Sequence, residues 1–328
     1  MLLYNQDMQV LKLFYKSFFL IFPYIIINIM YINSDLWKYK DLVYKFDNIP
    51  KGIEVANLGS SHGLNSFDYS IENYKKLVCY NMALAQQNLD FDEKIFQQYI
   101  ENFKEDSTVI ICLSSFETSG IPDYVLNKQA KDRYYRFIKP QLMEEFSLYD
   151  WISINIFPYF LSPHPLKDLI TISKEFSQKT ENRKQAPVIN EKNYGIASAE
   201  ERIKHSEKLL GGWTDMFPPS EKGREFNLKK IDSIINLAKK HKINTVIVTT
   251  PITKDAFDIL QEKKPYYDIY QFYKELEQKY PDTKFLNYLD LFFKNDYLFS
   301  DNNHLNSTGA REFSRIIYSD LKKFGYVK

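Results

Sequence analysis

The sequence predicts an α/β fold: a five-stranded parallel sheet covered by helices on both faces. A helical or irregular insertion separates strands three and four, and an apolar helix stands at the N-terminus. Three observations carry this. Five short apolar, β-rich runs recur along the chain, at residues 53–58, 77–82, 108–113, 245–250 and 284–289. The stretches between them show helical rather than alternating periodicity. The length, 328 residues, suffices for one large α/β domain plus an accessory segment.

Residues 10–32 are almost wholly apolar, with Lys12 and Lys16 near the start and Pro23 inside. The stretch is about long enough to cross a bilayer, and the lysines can snorkel to the interface. No small-residue cleavage site follows it at Tyr31, Ile32 and Asn33, so an uncleaved signal anchor is expected over residues 1–36. An apolar helix packed on the domain is the alternative, although Pro23 would kink it. Lys38, Lys40, Lys45 and Lys51 follow the span, so charge does not by itself decide sidedness; the main domain is expected outside the cytoplasm.

The main domain is expected over residues 37–328. Its first strand lies between Lys51-Gly52 and Gly59. Between the second and third, Phe91, Ile95, Tyr99 and Phe103 fall four residues apart on one helical face. Leu228, Ile231, Ile234, Ile235 and Ala238 make a similar stripe before the fourth strand. Helices over 266–280 and 307–324 flank the fifth. The alternation breaks at residues 120–223, far longer than a crossover needs. That segment carries Trp151, Pro158, Pro163, Pro165 and Trp213 around a polar tract at 174–192, and reads as an inserted cap shaping a cleft. A disordered insertion without a role is the other reading, more fitting for the polar tract than for the aromatic ends.

Composition excludes several functions. Lys+Arg number 43 against 42 Asp+Glu, with no basic block, so nucleic acid is not an expected partner. Cys79 and Cys112 each sit in an apolar run and read as buried free thiols. No clustered ligand spacing suggests a metal, and no glycine-rich phosphate loop suggests a nucleotide, so no cofactor is expected.

The chemistry is concentrated at two strand ends. Strand one runs into Leu58-Gly59-Ser60-Ser61-His62-Gly63, placing a serine where a parallel sheet presents its ligands. A serine hydroxyl attacks a carbonyl only when a base removes its proton. Ser300-Asp301-Asn302-Asn303-His304-Leu305-Asn306 supplies one, with an acid three residues before a histidine. That spacing lets the carboxylate orient one ring nitrogen while the other faces the serine. Ser307-Thr308-Gly309-Ala310 then reads as a helix start that anchors the loop. Alone, Gly-Ser-Ser is a common turn sequence; the two positions together make the pattern specific.

These blocks resemble the SGNH (GDSL-like) hydrolase superfamily, from about Ile53 to the end with the insertion excluded. The resemblance implies a three-layer flavodoxin-like fold with strand order 2-1-3-4-5. Gly59-Ser60-Ser61 matches the first block with serine in place of aspartate. This variant is similar to the bacterial surface-polymer branch, which includes teichoic-acid D-alanyl esterases and alginate O-acetylation proteins. Asp301-Asn302-Asn303-His304-Leu305-Asn306-Ser307-Thr308-Gly309 matches the last block. The match implies Ser61 as nucleophile, His304 as base and Asp301 as its orienting acid.

The chain departs from the pattern elsewhere. Leu113-Ser114-Ser115-Phe116-Glu117 stands where Gly-x-Asn-Asp is usual, so Phe116 occupies the place of the oxyanion-binding asparagine. The second-block glycine is also missing from Asn81-Met82-Ala83-Leu84-Ala85-Gln86-Gln87. The Ala83 N–H, with Gln87 or Ser115, is expected to take its place. One unreplaced donor costs about 2.7–4 kcal/mol of transition-state stabilisation.

Of the other histidines, His62 adjoins Ser61 and is either a first-turn helix residue or a second base. His164 belongs to the cap and is placed to touch substrate, while His205 and His241 read as solvated. The resemblance implies a serine esterase acting on acyl esters, with acyl groups of a cell-surface polysaccharide or its precursor as substrate. The alternatives are an O-acyltransferase working with a membrane-bound acyl-transfer partner, and a non-catalytic glycan-binding or assembly protein.

Overall fold

The computed structural model of the chain describes residues 21–114, 132–177, 201, 204, 221–262 and 265–327. The chain divides into two compact units, Ile49–Lys131 with Ala186–Lys328, and Met1–Asn48 with Asp132–Gln185.

The larger unit holds the sheet, with strands β1 (Ile53–Gly59), β2 (Cys79–Asn81), β3 (Phe103–Leu113), β4 (Asn244–Thr249) and β5 (Lys284–Asn287). All pairs are parallel and the order is 2-1-3-4-5. Side chains alternate between faces. Val55, Ile110, Cys112, Val246 and Val248 pack on one face with Phe313, Ile317 and Leu321 of the terminal helix Ser307–Lys323. The intervening Val109, Ile111 and Ile247 are buried too, so the central strands read as unbroken apolar runs. Helices Leu89–Tyr99 and Glu221–Lys240 pack on each other and on β1 and β4. Lys230 joins them, its ammonium 2.6 Å from Asp90 and 2.9 Å from Glu93.

Two boundaries differ from expectation. Strand β3 starts at Phe103, so the fourth residue of the predicted helical stripe is its first strand residue, beyond a 3₁₀ turn at Ile100–Asn102. Phe103 still serves the helix, its ring 5.3 Å from that of Phe96. Strand β2 is shorter than its apolar run. Cys79 is half-buried and Cys112 buried, and both are free thiols.

In the smaller unit, residues 21–33 are helical. Tyr31 packs with Tyr159 and Ile172, and Asn28 bonds the Ile156 carbonyl and accepts from the Tyr159 N–H. Arg136 lies over the Trp37 ring at 4.2 Å and donates to the Trp37 and Lys40 carbonyls. Residues 21–48 thus form one unit with 132–177, whereas the sequence divides the chain after residue 36 and groups residues 120–223 as a cap on the main domain. The physical reason is that Tyr159 and Ile172 of the insertion find their core against Tyr31 of the helix at 21–33. Among the described residues, no helix is long and apolar enough to cross a membrane. Positions 10–20 of the expected anchor lie outside the described residues, as does most of the 174–192 tract.

Candidate active site

Ser61 stands at the carboxyl end of β1, as the first residue of the helix Ser61–Ser66. The turn before it depends on Gly59, whose φ of +130° is open to glycine and strained for other residues. A Cβ there would lie 2.8 Å from the Cys112 carbonyl oxygen and 2.9 Å from the Cys112 Cβ. Gly59 therefore lets β1 pass close to β3 and turn sharply into the helix. The Gly59 N–H donates to Asp92 Oδ1 at 2.8 Å.

The Asp301–His304 loop leaves a one-residue antiparallel bridge, Phe299 to Leu305. Ser300 closes it from below, its N–H 2.9 Å from the His304 carbonyl. Asn306 caps the terminal helix: its side chain accepts from the Gly309 N–H at 3.0 Å and donates to the Tyr297 and Phe299 carbonyls. A Cβ at Gly309 would stand only 2.1 Å from the Leu298 carbonyl oxygen. Beyond β4, Thr253 holds the Asn302 carbonyl with both its N–H (3.0 Å) and its hydroxyl (2.8 Å).

These two supports bring the predicted residues together. Ser61 Oγ lies 2.8 Å from His304 Nε2, and His304 Nδ1 lies 2.9 Å from Asp301 Oδ2 and 3.0 Å from Oδ1. With the carboxylate at Nδ1, the neutral ring carries its proton there and accepts from the serine hydroxyl at Nε2. Asp301 Oδ1 also accepts the N–H groups of Asn303 (3.0 Å) and His304 (2.8 Å). Burial works to raise the Asp301 pKa, but the His304 ring and these two N–H groups outweigh it. The net shift is below the usual carboxylate value.

His62 is buried, its ring 4.8 Å from the ring of His304 and its Nδ1 3.5 Å from Ser60 Oγ. Burial, with the neighbouring His304, pushes it down to about 3, against a smaller opposing pull from Asp301. A ring that resists protonation so strongly makes a poor general base at neutral pH.

The expected oxyanion donors are arranged differently. The Ala83 N–H donates to Asn81 Oδ1 at 3.0 Å. Gln87 is buried, and its amide nitrogen donates to Asp92 Oδ1 at 2.6 Å and to the Met82 carbonyl at 3.3 Å. Both groups are thus engaged inside the fold, by Asn81, Asp92 and the Met82 carbonyl. Ser115 and Phe116 lie outside the described residues. Among the described residues, no group of three or more His, Cys, Asp or Glu is placed to hold a metal. His164 belongs to the smaller unit and is exposed; His241 is 3.9 Å from Glu101, and His205 lies outside the described residues.

Asp92 and Thr253 hold the site in place although neither belongs to the sequence blocks at the strand ends. Asp92 carried a signal, a carboxylate beside the apolar Phe91 on a helix otherwise turned to the core. Thr253 carried none, since its partner is distant in sequence.

No protein-family model matches the chain, and no curated protein matches it in sequence. Among solved structures it is similar to a protein of Bacteroides fragilis NCTC 9343 provisionally described as an acylhydrolase. The two are 11% identical with a TM-score of 0.42, over 89% of this chain and 99% of that one.

Proposed function

We propose that this protein is an SGNH-type serine hydrolase acting on acyl esters, with Ser61, His304 and Asp301 as its triad. The observation that carries the reading is the continuous hydrogen-bonded line from Ser61 Oγ through both His304 ring nitrogens to Asp301. Ser61 attacks the acyl carbonyl as His304 Nε2 takes its proton. The imidazolium is held by Asp301, and its proton passes to the departing alcohol. A water or a sugar hydroxyl, deprotonated in turn by His304, then attacks the acyl-enzyme and releases Ser61. Water as acceptor makes an esterase, and a sugar hydroxyl an acyltransferase working with a membrane-bound acyl donor protein. The main-chain N–H of Ser61 serves as an oxyanion donor. A cell-surface polysaccharide or its precursor is the substrate this reading favours, supported by the resemblance of Gly59-Ser60-Ser61 to the surface-polymer branch. Residues 10–32 anchor the chain in the membrane, with the hydrolase unit outside the cytoplasm; their apolarity supports this.

One observation favours a second reading, a non-catalytic glycan-binding or assembly protein on the same fold. The Ala83 N–H and the Gln87 amide are both committed to internal acceptors. A fluorophosphonate probe separates the two readings, since it labels only an activated serine. Labelling of the wild type that disappears in Ser61→Ala supports the hydrolase. A wild type as inert as Ser61→Ala, with both folded, supports the binding protein.

A further inference from the structure

Large hydrophobic side chains are exposed very unequally in this molecule. Among the described residues, fifteen of the seventeen that stand open to solvent belong to the smaller unit; Tyr297 and Phe324 are the two exceptions. On the helix at 21–33, Ile21, Phe22, Tyr24, Ile25, Ile26 and Ile29 are exposed. At 100° per residue five of them cover an arc of about 140°, and Tyr24 stands beyond the buried Asn28. The remaining side packs inward through Asn28 and Tyr31, which are 4% and 2% exposed. The surface continues on the neighbouring segment. Tyr24 stacks on Phe160 at 5.2 Å, with Leu161 next in the chain. One turn apart on the helix Pro165–Ser177, Leu166 and Ile170 are 77% and 57% exposed while Ile172 is fully buried.

We infer that this face, residues 21–29 with 157–170, beds into the surface of a lipid bilayer. The extent of the apolar surface over two neighbouring segments selects the occupant. A docked helix offers a protein groove one apolar stripe, whereas here the stripe is extended by exposed apolar side chains of the neighbouring segment, as an interfacial surface is. The position in the chain agrees, because the exposed stretch continues an apolar run that begins at Val10. The polar chemistry agrees too. Asn28, in the middle of the helix, has its amide spent on the Ile156 carbonyl and the Tyr159 N–H, as a low-dielectric surrounding demands. Lys167 and Lys174 stand exposed on the helix that carries Leu166, where their long stems can reach headgroup phosphates. The contact is a shoulder on the membrane beside the proposed anchor. It rests on the anchored reading of residues 10–32 and is independent of the triad.

The test uses the full chain reconstituted into vesicles of phosphatidylethanolamine and phosphatidylglycerol, with plain or brominated acyl chains. Tryptophan is introduced in place of Leu166 or Phe160, and for comparison in place of Tyr297 on the larger unit. The emission of the unsubstituted protein is subtracted. Bromine buried in the acyl region should cut the emission added at 166 and 160 about two-fold and leave that added at 297 unchanged. Quenching at 166 and 160 no greater than at 297, on chains that float with the vesicles, overturns the shoulder and leaves the anchor standing. Chains that fail to float overturn both. Cross-linking through this face to a second copy, without quenching, assigns the surface to self-association and also overturns the proposal. Circular dichroism of the same variants checks their fold, and fluorophosphonate labelling bears on the triad alone.

Discussion

Ser61 and His304 arrive at the same point on supports of opposite kind. The turn that delivers Ser61 is shaped by exclusion: Gly59 adopts a left-handed backbone where a Cβ would strike the next strand. The loop that delivers Asp301 and His304 is shaped by hydrogen bonds, from Ser300, Thr253 and Asn306 and from the two N–H groups on Asp301 Oδ1. The first support tolerates no added atom, and the second tolerates no lost donor. Each can therefore be broken separately, with a different signature.

The largest effect comes from the groups that move the proton. Ser61→Ala and His304→Ala should lower turnover of an activated acetyl ester by about 10⁶-fold, and Asp301→Ala by about 10⁴-fold. Initial rates of the three folded variants measure this. Should His304→Ala keep most of the wild-type rate, another base is at work. His62 would be the first suspect, despite its depressed pKa.

The steric support is tested next. Gly59→Ala combines a strained φ with a clash against Cys112. Gly325→Ala has a similar φ penalty (φ +76°) with nothing within 4 Å. Denaturant unfolding should show a loss of about 3 kcal/mol for the first and about 1 kcal/mol for the second. Equal losses would mean that β1 and β3 move apart cheaply, and that exclusion does not shape this turn.

His62 lies beside both supports and reports on them through pH. Its ring takes a proton near 6.5 in the unfolded chain and near 3 in the native one. Between those values the unfolded chain holds more protons, so the contribution of this residue to stability falls as pH falls. From pH 7 to pH 5 the loss due to this ring is about 2 kcal/mol. Asp301 acts in a lower window: its folded pKa is depressed, so its contribution is present above the ordinary carboxylate value and is lost as pH drops through the folded one. On going from pH 7 to pH 5 the wild type should therefore lose about 2 kcal/mol more stability than His62→Phe. Parallel losses in the two proteins would show that the ring is not held neutral.

The same contrast explains how much was legible beforehand. Ser61, Asp301 and His304 lie within short local patterns at strand ends, and strand β1 was marked by apolar residues between glycines. Asp92 and Thr253 act over distance: 33 residues separate Asp92 from Gly59, and 49 separate Thr253 from Asn302. The Asp92 carboxylate stands out beside Phe91, but nothing local names the partner of either residue, because the fold creates these pairs. Ala83 and Gln87, expected at an oxyanion, turn instead to Asn81 and Asp92, two and five residues away; these partners are local, but which of a loop's polar groups face inward depends on the packing around it. The union of residues 21–48 with 132–177 has no local mark either, since each segment reads as complete in its own apolar or aromatic pattern.

The smallest effect tests the hydrogen-bonded loop at its outermost tie. Thr253 donates to the Asn302 carbonyl through Oγ1, and that oxygen also accepts from the Ala256 N–H at 3.2 Å, capping the helix Lys254–Glu262. Thr253→Val keeps the shape and the main-chain bond to Asn302 but removes both hydroxyl roles. Asn302 is fully buried, so its carbonyl has little access to water as a substitute. The expected loss is about 1–2 kcal/mol, one hydrogen bond and one cap, with Thr253→Ser restoring most of it. Turnover should fall with Thr253→Val and recover with Thr253→Ser, because the tie sets the position of Asp301 and His304 rather than their chemistry. The acid limb of the rate profile should stay where it is in the wild type. A Thr253→Val enzyme with wild-type stability and turnover would mean that the loop is held without the hydroxyl, by Ser300, Asn306, the Asp301 carboxylate and the Thr253 N–H.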